Sequence, residues 1–345
     1  MIRSLEIDNF RCFKSLVIPD VRRFTIITGK NGTGKTALLE SLFIASGGSA
    51  EIYLRANSWR GRDLVSFAVD SVLPMFEDFF YKFDPTGGLR IRFRDSFGEE
   101  REVRVSVDSS EVINLPFDTK VSEAKRSPYL KFTWKTPRGE FESPVETSKE
   151  GLKISQPRDV YPTVFLNQLT TNLVRETAER WSGISARNAE GPIEEAVRKL
   201  FPEVIRLSVL SPGGLPGVYV EVKGLDRKIS AGLLSAGVNK LIAILVAIGS
   251  SPKGVVLIDE IEDGFYYKIE EPTWEVISEF AVQNDTQLFV TTHSREFLEA
   301  IAPSAEWDDK SYSLLRMGKE NGDIQVETFG GKEFGGAVER GFEVR

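Results

Sequence analysis

Gly29–Thr36, with the sequence GKNGTGKT, is the stretch that decides the fold of this 345-residue chain. It fits the pattern G-x-x-x-x-G-K-[ST] at every fixed position. The β-branched run Phe24–Thr28 precedes it, and the helix-forming run Ala37–Ala45 follows it until Gly47-Gly48. A loop between a strand and a helix turns successive backbone N–H groups and the helix N-terminus toward one anion. The stretch therefore predicts a loop that binds the phosphates of a nucleotide.

The side chains of this phosphate loop have separate predicted roles. Lys35 is expected to neutralise the β- and γ-phosphates of ATP, and the hydroxyl of Thr36 to ligate Mg²⁺. The predicted ATP-binding residues of the loop are Asn31, Gly32, Thr33, Gly34, Lys35 and Thr36. ATP and Mg²⁺ are accordingly the expected ligand and cofactor.

A second part of the site follows the apolar run Val255–Ile258, which is typical of a buried parallel strand. The run ends in Asp259 and Glu260, and ligands of open α/β sheets bind at the carboxyl ends of the strands. Asp259 is therefore predicted to hold the Mg²⁺ shell, and Glu260 to polarise the attacking water as the general base.

His293 is the only histidine in the sequence. It follows another buried run, Gln287–Thr291, whose strand is expected to lie beside the strand that ends at Glu260. The imidazole can then reach the γ-phosphate from the same sheet edge. We therefore predict a catalytic role for His293 together with Glu260 and Lys35.

The composition favours a soluble globular protein, because 41% of the residues are hydrophobic and 28% are charged. The single cysteine, Cys12, excludes an internal disulfide framework, and the sequence has neither a signal-like leader nor an apolar run of transmembrane length. These features predict a cytoplasmic protein without membrane contact. The net charge of −7 argues against a protein that coats nucleic acid with its whole surface.

One insertion is predicted to interrupt the α/β pattern. Residues 51–157 change to short alternating strands with turn residues, and we interpret them as an inserted β-rich arm. Leu89–Phe93 and Glu102–Val107 read as the two strands of a hairpin in this arm. Strands alternate with helices in residues 1–50 and 158–345, which predicts a mainly parallel sheet.

The C-terminal part supplies most of the predicted elements. Thr163–Leu166 has the pattern of a strand, and three runs have the pattern of helices: Ile193–Leu200, Leu233–Ile248 and Trp274–Val282. Gly330–Gly336 is predicted to be only a loose tail.

These residues resemble the ABC-type ATPases, a group that includes RecF, the SMC proteins and, most closely, the OLD-like AAA-family ATPases of bacteria and archaea. Ile7–Phe13 is similar to the N-terminal strand of that group. Leu257–Gly264 is similar to its Walker B and D-loop segments, and Thr291–Ser294 to its switch-histidine segment. The resemblance implies a P-loop NTPase fold of the ABC-ATPase type, with residues 1–50 and 158–345 as the two parts of the ATPase domain.

Further site residues are implied by the resemblance alone. Leu234–Lys240 resembles the ABC signature motif, which in the family caps the γ-phosphate of the partner subunit's ATP, so Ser235 and Gly237 are implied to contact ATP in trans. Gln168 resembles the Q-loop glutamine that senses Mg²⁺ and the attacking water, and Arg11 is an implied ATP contact. A helix N-cap role for Ser235 and an ordinary loop amide for Gln168 remain alternatives.

The sequence also departs from the OLD-like pattern. Close relatives often have Gly-Asp-Gly where this chain has Ser235-Ala236-Gly237, and a histidine where it has Tyr266. Full-length OLD nucleases continue into a TOPRIM domain that binds metal through a glutamate and an Asp-x-Asp pair. Asp308-Asp309 has neither that spacing nor a buried strand before it, so no built-in nuclease is expected.

An arginine row in the arm is the sequence feature that suggests a target. Arg90, Arg92 and Arg94 share one face of a strand by their period of two, and Arg101 and Arg104 are expected nearby on the return strand. Such a row can hold DNA phosphates, or it can be a solvated face balanced by the neighbouring glutamates at 99, 100 and 102.

The resemblance implies a head-to-tail homodimer that closes on two ATP molecules and opens after hydrolysis. The leading hypothesis is an ATP-driven switch in defence against phage or other foreign DNA, with a separately encoded effector such as a TOPRIM nuclease. One alternative is a RecF-like DNA-repair clamp with DNA-stimulated turnover. Another is a scaffold that binds ATP and scarcely hydrolyses it, in which Glu260 has no role. A transporter subunit is least favoured, because neither the start of the chain nor the segment after Glu260 resembles one.

Overall fold

The computed structural model describes residues 1–58, 76–108, 129–148, 151–167 and 174–339. The strands are β1 (Ile2–Phe10), β2 (Phe13–Ile18), β3 (Phe24–Gly29), β4 (Leu89–Asp95), β5 (Glu100–Asp108), β6 (Tyr129–Thr136), β7 (Gly139–Ser148), β8 (Gly151–Ile154), β9 (Thr163–Leu166), β10 (Val204–Leu210), β11 (Gly217–Val222), β12 (Ile229–Ser230), β13 (Val255–Ile258), β14 (Gln287–Thr291), β15 (Tyr312–Glu320) and β16 (Asp323–Gly330). The α-helices are α1 (Lys35–Ser46), α2 (Glu51–Ser58), α3 (Val174–Ser185), α4 (Gly191–Leu200), α5 (Ala231–Leu234), α6 (Ala236–Ser250), α7 (Glu270–Gln283), α8 (Arg295–Trp307) and α9 (Gly331–Glu339). Of these helices, none combines the length and the apolar character needed to cross a membrane.

The central sheet has six strands in the order β16-β15-β3-β14-β13-β9. Five of them are parallel, and β16 runs antiparallel to β15. Every residue of β13 and β14 is buried, as expected for strands covered on both faces. The predicted mainly parallel sheet is confirmed, and so is the predicted neighbourhood of the strands that end before Glu260 and His293.

A second, antiparallel sheet has seven strands in the order β2-β1-β4-β5-β6-β7-β8. Strands β4 to β8 lie within the predicted arm, residues 51–157, and they continue the sheet that β1 and β2 begin. The predicted β4–β5 hairpin is confirmed, and its turn is closed by the Asp95 carboxylate, which accepts the N–H groups of Phe97 and Glu99 at 2.8 and 3.0 Å. The domain boundaries at residues 50 and 157 remain predictions.

Helix α1 lies between the two sheets and carries the phosphate loop at its N-terminus. The helix ends at Gly47, as its sequence predicts, and all residues of Ala37–Ser46 are buried. Leu38 and Leu42 belong to one core cluster with Ile91 of the antiparallel sheet and Phe289 of the parallel sheet. This burial on all sides fixes the loop relative to both sheets.

The opposite face of the parallel sheet packs against α3, α4 and α6 to α8, together with the small sheet β10-β11-β12. Trp274 of α7 contacts Phe24 and Phe297 edge-on, and its Nε1 donates a hydrogen bond to the Tyr312 hydroxyl at 3.0 Å. Burial of such aromatic side chains is a large stabilising contribution. The cluster therefore ties β3, which leads into the phosphate loop, to α7, α8 and β15.

Gln287 ties the start of the chain to the middle of the parallel sheet. Its side chain is fully buried, and its Oε1 accepts the N–H of Ile2 at 2.7 Å. Its Nε2 donates to the carbonyls of Ile2 and Arg22, both at 2.9 Å. Since buried polar groups need partners, this one amide satisfies three backbone groups where β1, β3 and β14 meet.

The prediction of a loose tail at Gly330–Gly336 is wrong. Strand β16 ends at Gly330, and α9 follows at once and packs against α8 with Phe334 fully buried. A Cβ on Gly331 would lie 2.3 Å from the carbonyl oxygen of Ala305, so the glycine allows a close helix contact instead of marking a loop.

The placement of Arg101 with the arginine row is also wrong. Arg101 pairs with Phe93 across the hairpin, so its side chain lies on the other face of the sheet, where it is buried and forms an ion pair with Asp159 at 3.2 Å. The remaining row is neutralised by carboxylates, in the pairs Arg90–Asp8, Arg92–Glu6, Arg92–Glu100, Arg94–Glu100 and Arg104–Glu102. This arrangement fits the alternative of a balanced, solvated face.

Candidate functional site

The phosphate loop is packed tightly between two neighbours. Gly29 and Gly34 have φ values of 140° and 93°, which side chains rarely adopt. A Cβ at Gly29 would lie 2.2 Å from the Met317 carbonyl oxygen of β15, and one at Gly34 would lie 2.6 Å from the Cys12 sulfur in the β1–β2 turn. The glycines are therefore required by the close approach of β15 and of the β1–β2 turn.

Lys35 is folded over the loop from which it projects. Its Nζ donates to the carbonyls of Gly29 and Lys30 at 2.7 and 3.3 Å. Burial lowers the pKa of this amine, and the charges of Asp259 and Glu260 oppose that shift. The cation is thus held at the loop by carbonyl groups, where a phosphate can compete for it as a stronger, charged partner.

Two candidate metal ligands are brought together from distant parts of the chain. The Thr36 hydroxyl donates to Asp259 Oδ2 at 2.8 Å, and the Thr291 hydroxyl donates to the other oxygen, Oδ1. A hydroxyl and a carboxylate oxygen are hard donors, and Mg²⁺ typically binds one or two such ligands together with phosphates and waters. The residues present therefore fit Mg²⁺ as the sequence predicts.

Glu260 has a strained backbone that is held from both sides. Its φ is 48°, in the left-handed region that glutamate rarely adopts. Its N–H donates to the Thr291 hydroxyl at 2.8 Å, and its carbonyl accepts a hydrogen bond from the buried ammonium of Lys240 on α6. Strained residues that persist between such contacts cluster at functional sites.

The carboxyl group of Glu260 lies in an acidic environment. Burial raises its pKa, and a hydrogen bond with Asp263 and the negative charges of Asp263 and Asp259 raise it further, whereas His293 opposes the shift. A carboxylate with a raised pKa is a stronger proton acceptor than an ordinary surface carboxylate. This property suits a general base.

Glu262 fixes the position of His293. Its Oε1 accepts the backbone N–H groups of His293 and Ser294 at 2.9 and 3.2 Å, and it lies 3.0 Å from His293 Nδ1. The Glu262 side chain is buried, whereas that of His293 is half exposed. With Nδ1 bonded to the carboxylate, Nε2 is the nitrogen left for a phosphate oxygen or a water.

Replacement of Glu262 by alanine is expected to lower the free energy of unfolding by about 1–3 kcal/mol, because hydrogen bonds to a carboxylate are lost. The partly buried N–H of His293 loses its acceptor, and that of Ser294 keeps only the Thr292 hydroxyl. Glu262→Gln keeps an acceptor oxygen and is expected to recover most of that loss. Denaturant unfolding measures both variants. Glu299→Ala removes an exposed carboxylate on α8 and serves as the control, with a change within about 0.5 kcal/mol. Equal stability of Glu262→Ala and the wild type would contradict the assigned role.

A cavity of about 680 Å³ opens beside the phosphate loop. Its walls contain Asn31, Gly32, Gly34, Lys35, Thr36, Ala37, Asp259 and Glu260, together with Arg11, Cys12, Asp78, Phe80, Lys82 and Phe83. Among the described residues, the predicted site therefore divides into two groups. Asn31, Gly32, Gly34, Lys35, Thr36, Asp259, Glu260 and Arg11 line one cavity, whereas Thr33, His293, Ser235 and Gly237 are not part of its wall.

Each of the residues outside the wall has a definite place. The Thr33 hydroxyl donates to the Lys30 carbonyl at 2.8 Å, within the loop. Ser235 is exposed and is the N-cap of α6, where its side chain accepts the N–H of Val238 at 3.1 Å. The N-cap alternative is thus confirmed, and the hydroxyl hydrogen of Ser235 stays available for a second acceptor.

Gly237 and Arg11 are both held by close contacts. A Cβ on Gly237 would lie 2.9 Å from the Gly264 carbonyl oxygen, so the start of α6 packs directly on the turn after β13. Arg11 lines the cavity but is buried, with its Nε 2.9 Å from a Glu40 oxygen and its guanidinium 4.4 Å from the centre of the Phe79 ring. Gln168 lies outside the described residues.

Sequence reasoning missed three supporting residues: Thr291, Lys240 and Glu262. Thr291 and Glu262 lie within the segments that resemble the switch and Walker B regions, so their position offered a signal. Lys240 lies in a mostly apolar helix, and no periodicity reveals that its ammonium group reaches the Glu260 carbonyl.

Residues 24–299 match the model of a protein family described as "AAA domain, putative AbiEii toxin, Type IV TA system". An ATP/GTP phosphatase of Helicobacter pylori is similar, with 22% identity over 333 residues that cover 87% of each chain. The DNA replication and repair protein RecF of Thermomicrobium roseum is 48% identical over 46 residues, which are 13% of this chain and 11% of RecF.

The fold is similar to a solved SMC head, bound in that structure to the C-winged helix domain of ScpA. The TM-score is 0.52 at 15% identity, with 95% of this chain and 97% of that chain covered. Identity this low shows the fold alone. The predicted α/β fold of a P-loop NTPase, with the architecture of the ABC-type ATPase heads, is confirmed.

Proposed function

The chain belongs to the AAA-domain family whose model matches residues 24–299, and we propose that it hydrolyses ATP in sites that two copies of the chain complete together. One observation carries the hydrolytic part. The Thr36 hydroxyl and the Asp259 carboxylate meet at 2.8 Å at the edge of the phosphate-loop cavity, and Glu260 follows directly in the same wall. A site for binding alone has no need of a second, strained carboxylate with a raised pKa.

The proposed chemistry uses this chain's own groups. The backbone N–H groups of the phosphate loop and Lys35 bind the triphosphate, and Thr36 and Asp259 are the residues that would hold Mg²⁺, which neutralises charge on the phosphates when bound. Glu260 orients a water toward the γ-phosphorus and accepts its proton as the new P–O bond forms. The bond between the γ-phosphorus and the β–γ bridging oxygen breaks, and ADP leaves. The imidazolium form of His293, with Nδ1–H on Glu262, donates a hydrogen bond from Nε2–H to a γ-phosphate oxygen.

Support for a composite site comes from the surface around the start of α6. Ser235 and Ala236 are exposed there, next to the turn that contains Gly264 and Tyr266. Leu233, Tyr266 and Tyr267 are also exposed. Aromatic side chains are enriched at protein interfaces, so the two exposed tyrosines beside the capping group favour a partner at this surface. The proposed occupant is a second copy of this chain, whose ATP would meet Ser235 and Gly237 in trans.

Gly237→Ala is expected to weaken ATP-dependent dimerisation while a single subunit still binds ATP. The added Cβ meets the Gly264 carbonyl oxygen of the same chain at 2.9 Å, so the start of α6 and its N-cap Ser235 must shift to relieve a strain of about 1–3 kcal/mol. Because the proposed closed dimer needs the unshifted position, the same strain lowers dimer affinity by roughly 5- to 150-fold. Gly232→Ala is the matched control, because its Cβ would meet nothing closer than 4.0 Å.

The experiment combines steady-state hydrolysis of ATP with Mg²⁺ and the solution mass with and without nucleotide. Hydrolysis by a wild type that dimerises with ATP, with weaker dimerisation and slower hydrolysis in Gly237→Ala, supports the proposal. A wild type that neither hydrolyses ATP nor changes mass favours the scaffold alternative. If the protein hydrolyses ATP while it stays a monomer, the proposal of a composite site is wrong and the proposal of ATP hydrolysis stands.

For the biological role we propose an OLD-like switch in defence against foreign DNA, acting with a separate effector of the TOPRIM-nuclease type. The support is the resemblance of Leu257–Gly264 and Thr291–Ser294 to that group. A RecF-like clamp is the second candidate, and the 46-residue similarity to RecF favours it. DNA-stimulated, salt-dependent ATP turnover distinguishes the clamp from the switch. The ion-paired arginine row offers little free charge for such DNA binding.

A further inference from the structure

The nucleotide cavity extends beyond the phosphate loop to a turn that exposes an aromatic side chain. Phe83 lines this cavity and is 66% exposed, so its ring lies where the cavity opens to solvent. A single exposed phenylalanine is ordinary on a protein surface, so the position of Phe83 at the cavity edge gains meaning only from the backbone that presents it.

The backbone that presents Phe83 is strained. Lys82 and Phe83 have φ values of 53° and 62°, in the left-handed region that a bulky side chain adopts only as an outlier. In the described part of the chain ten non-glycine residues have such φ values, and four of them line this one cavity: Arg11, Lys82, Phe83 and Glu260. Since strain persists only where contacts impose it, this concentration marks the whole cavity as functional, including the end at Phe83.

The turn is fixed to the same structure that supports the phosphate loop. Asn9 at the end of β1 donates from Nδ2 to the carbonyls of Asp84 and Gly88 at 3.0 and 2.6 Å. The N–H of Arg11 donates to the Phe79 carbonyl at 2.7 Å, and Phe10 pairs with Phe80. Cys12 of the β1–β2 turn therefore contacts the phosphate loop, Arg11 of the same turn contacts Phe79, and Asn9 at the end of β1 contacts the backbone at Asp84, next to Phe83. The backbone at Phe83 is thus linked to the structure that supports the phosphate loop.

We propose that Phe83 is the stacking platform for the purine base of the nucleotide. The proposal rests on the proposed ATP site. An aromatic ring stacks on any base, because every base has a π-face, whereas discrimination between bases needs directed hydrogen bonds. Phe83 thus contributes affinity for the nucleoside part of ATP or GTP and none for the phosphates.

The test compares the binding of ATP, GTP and inorganic tripolyphosphate by titration calorimetry. Phe83→Ala is expected to lower the affinity for ATP and for GTP by the same factor, about tenfold, and to leave tripolyphosphate binding unchanged. Phe83→Trp, which keeps an aromatic face, is expected to retain nucleotide binding. Phe97→Ala is the matched control, because Phe97 is an 86% exposed phenylalanine at the tip of the β4–β5 hairpin and does not line the cavity.

Several outcomes would contradict the proposal that Phe83 stacks on the base. One is an unchanged ATP affinity in Phe83→Ala. If ATP-dependent dimerisation is lost at the same time, Phe83 is a subunit contact instead. An equal loss of ATP and tripolyphosphate binding indicates general damage to the site. If the wild type binds tripolyphosphate as tightly as ATP, the base does not add affinity, so the stacking proposal is wrong while the proposed phosphate site stands. If the wild type binds neither ligand, both the stacking proposal and the proposed phosphate site are wrong.

Discussion

Glu260→Gln is expected to lower kcat for ATP hydrolysis by about 100- to 10,000-fold, the usual contribution of a positioned general base. Glutamine keeps the size of the side chain and its left-handed backbone contacts to Thr291 and Lys240, but it cannot accept the water proton. ATP binding should persist, and the variant should accumulate as an ATP-bound dimer. Steady-state kinetics measure the fall in kcat, and the mass in solution with ATP measures the accumulation of the dimer.

The pH dependence gives an independent check on the same residue. A general base works only when ionised, so wild-type kcat should fall on acidification through a pKa above 4.5, the ordinary value for glutamate, because burial and Asp263 raise the pKa of Glu260. Glu260→Gln should lack this acidic limb. Glu271→Gln, an exposed residue on α7, is the control and should behave as the wild type. Near wild-type hydrolysis in Glu260→Gln would assign the proton to another acceptor.

Lys35→Met is expected to lower the affinity for ATP and the affinity for inorganic tripolyphosphate by the same factor. Truncating one partner of a desolvated charge pair costs about 2–5 kcal/mol, roughly 30-fold or more in affinity, and methionine keeps most of the side-chain length without the charge. Titration calorimetry with both ligands measures the loss. This equal loss is the opposite of the pattern expected for Phe83→Ala, which spares tripolyphosphate.

The control for the loop lysine is Lys14→Met, because Lys14 is an exposed lysine on β2. It tests whether a loss of one positive charge alone changes the affinity for a polyanion, and no change beyond about twofold is expected for a surface charge. If Lys35→Met binds tripolyphosphate as well as the wild type, the phosphates lie elsewhere and the site assignment fails.

The sequence predicted the central elements because their local and global preferences agree. Strands β9, β13 and β14 are short apolar runs that end in polar residues. Such runs predict strands that are buried on both faces, and a parallel sheet buries both faces of its strands, so the local pattern and the fold agree. The phosphate loop was predictable for a similar reason, since two of its glycines, Gly29 and Gly34, meet backbone and side-chain atoms that leave no room for a Cβ.

The remaining features depend on contacts that no short window of sequence contains. Gly331 looks like a loop residue until Ala305 is placed 2.3 Å from its missing Cβ. Arg101 and Arg104 are three residues apart and therefore lie on opposite faces of β5. Only the strand register shows that Arg104 lies opposite Arg90 and that Arg101, paired with Phe93, is on the other face. The clamp on Glu260 joins α6 to the ends of β13 and β14, so its members Lys240 and Thr291 become visible only after folding.

The position of β3 in the parallel sheet has a consequence for the newly made chain on the ribosome. Its two neighbours are β14 and β15, and Gly29 rests against Met317, so the nucleotide loop is synthesised early and its supports are synthesised about 260 to 290 residues later. The Gln287 side chain likewise reaches back to Ile2. Partial translation products that end before β14 therefore lack both strands that flank this loop in the folded protein. We expect a nascent chain to bind ATP only after β15 has left the ribosome.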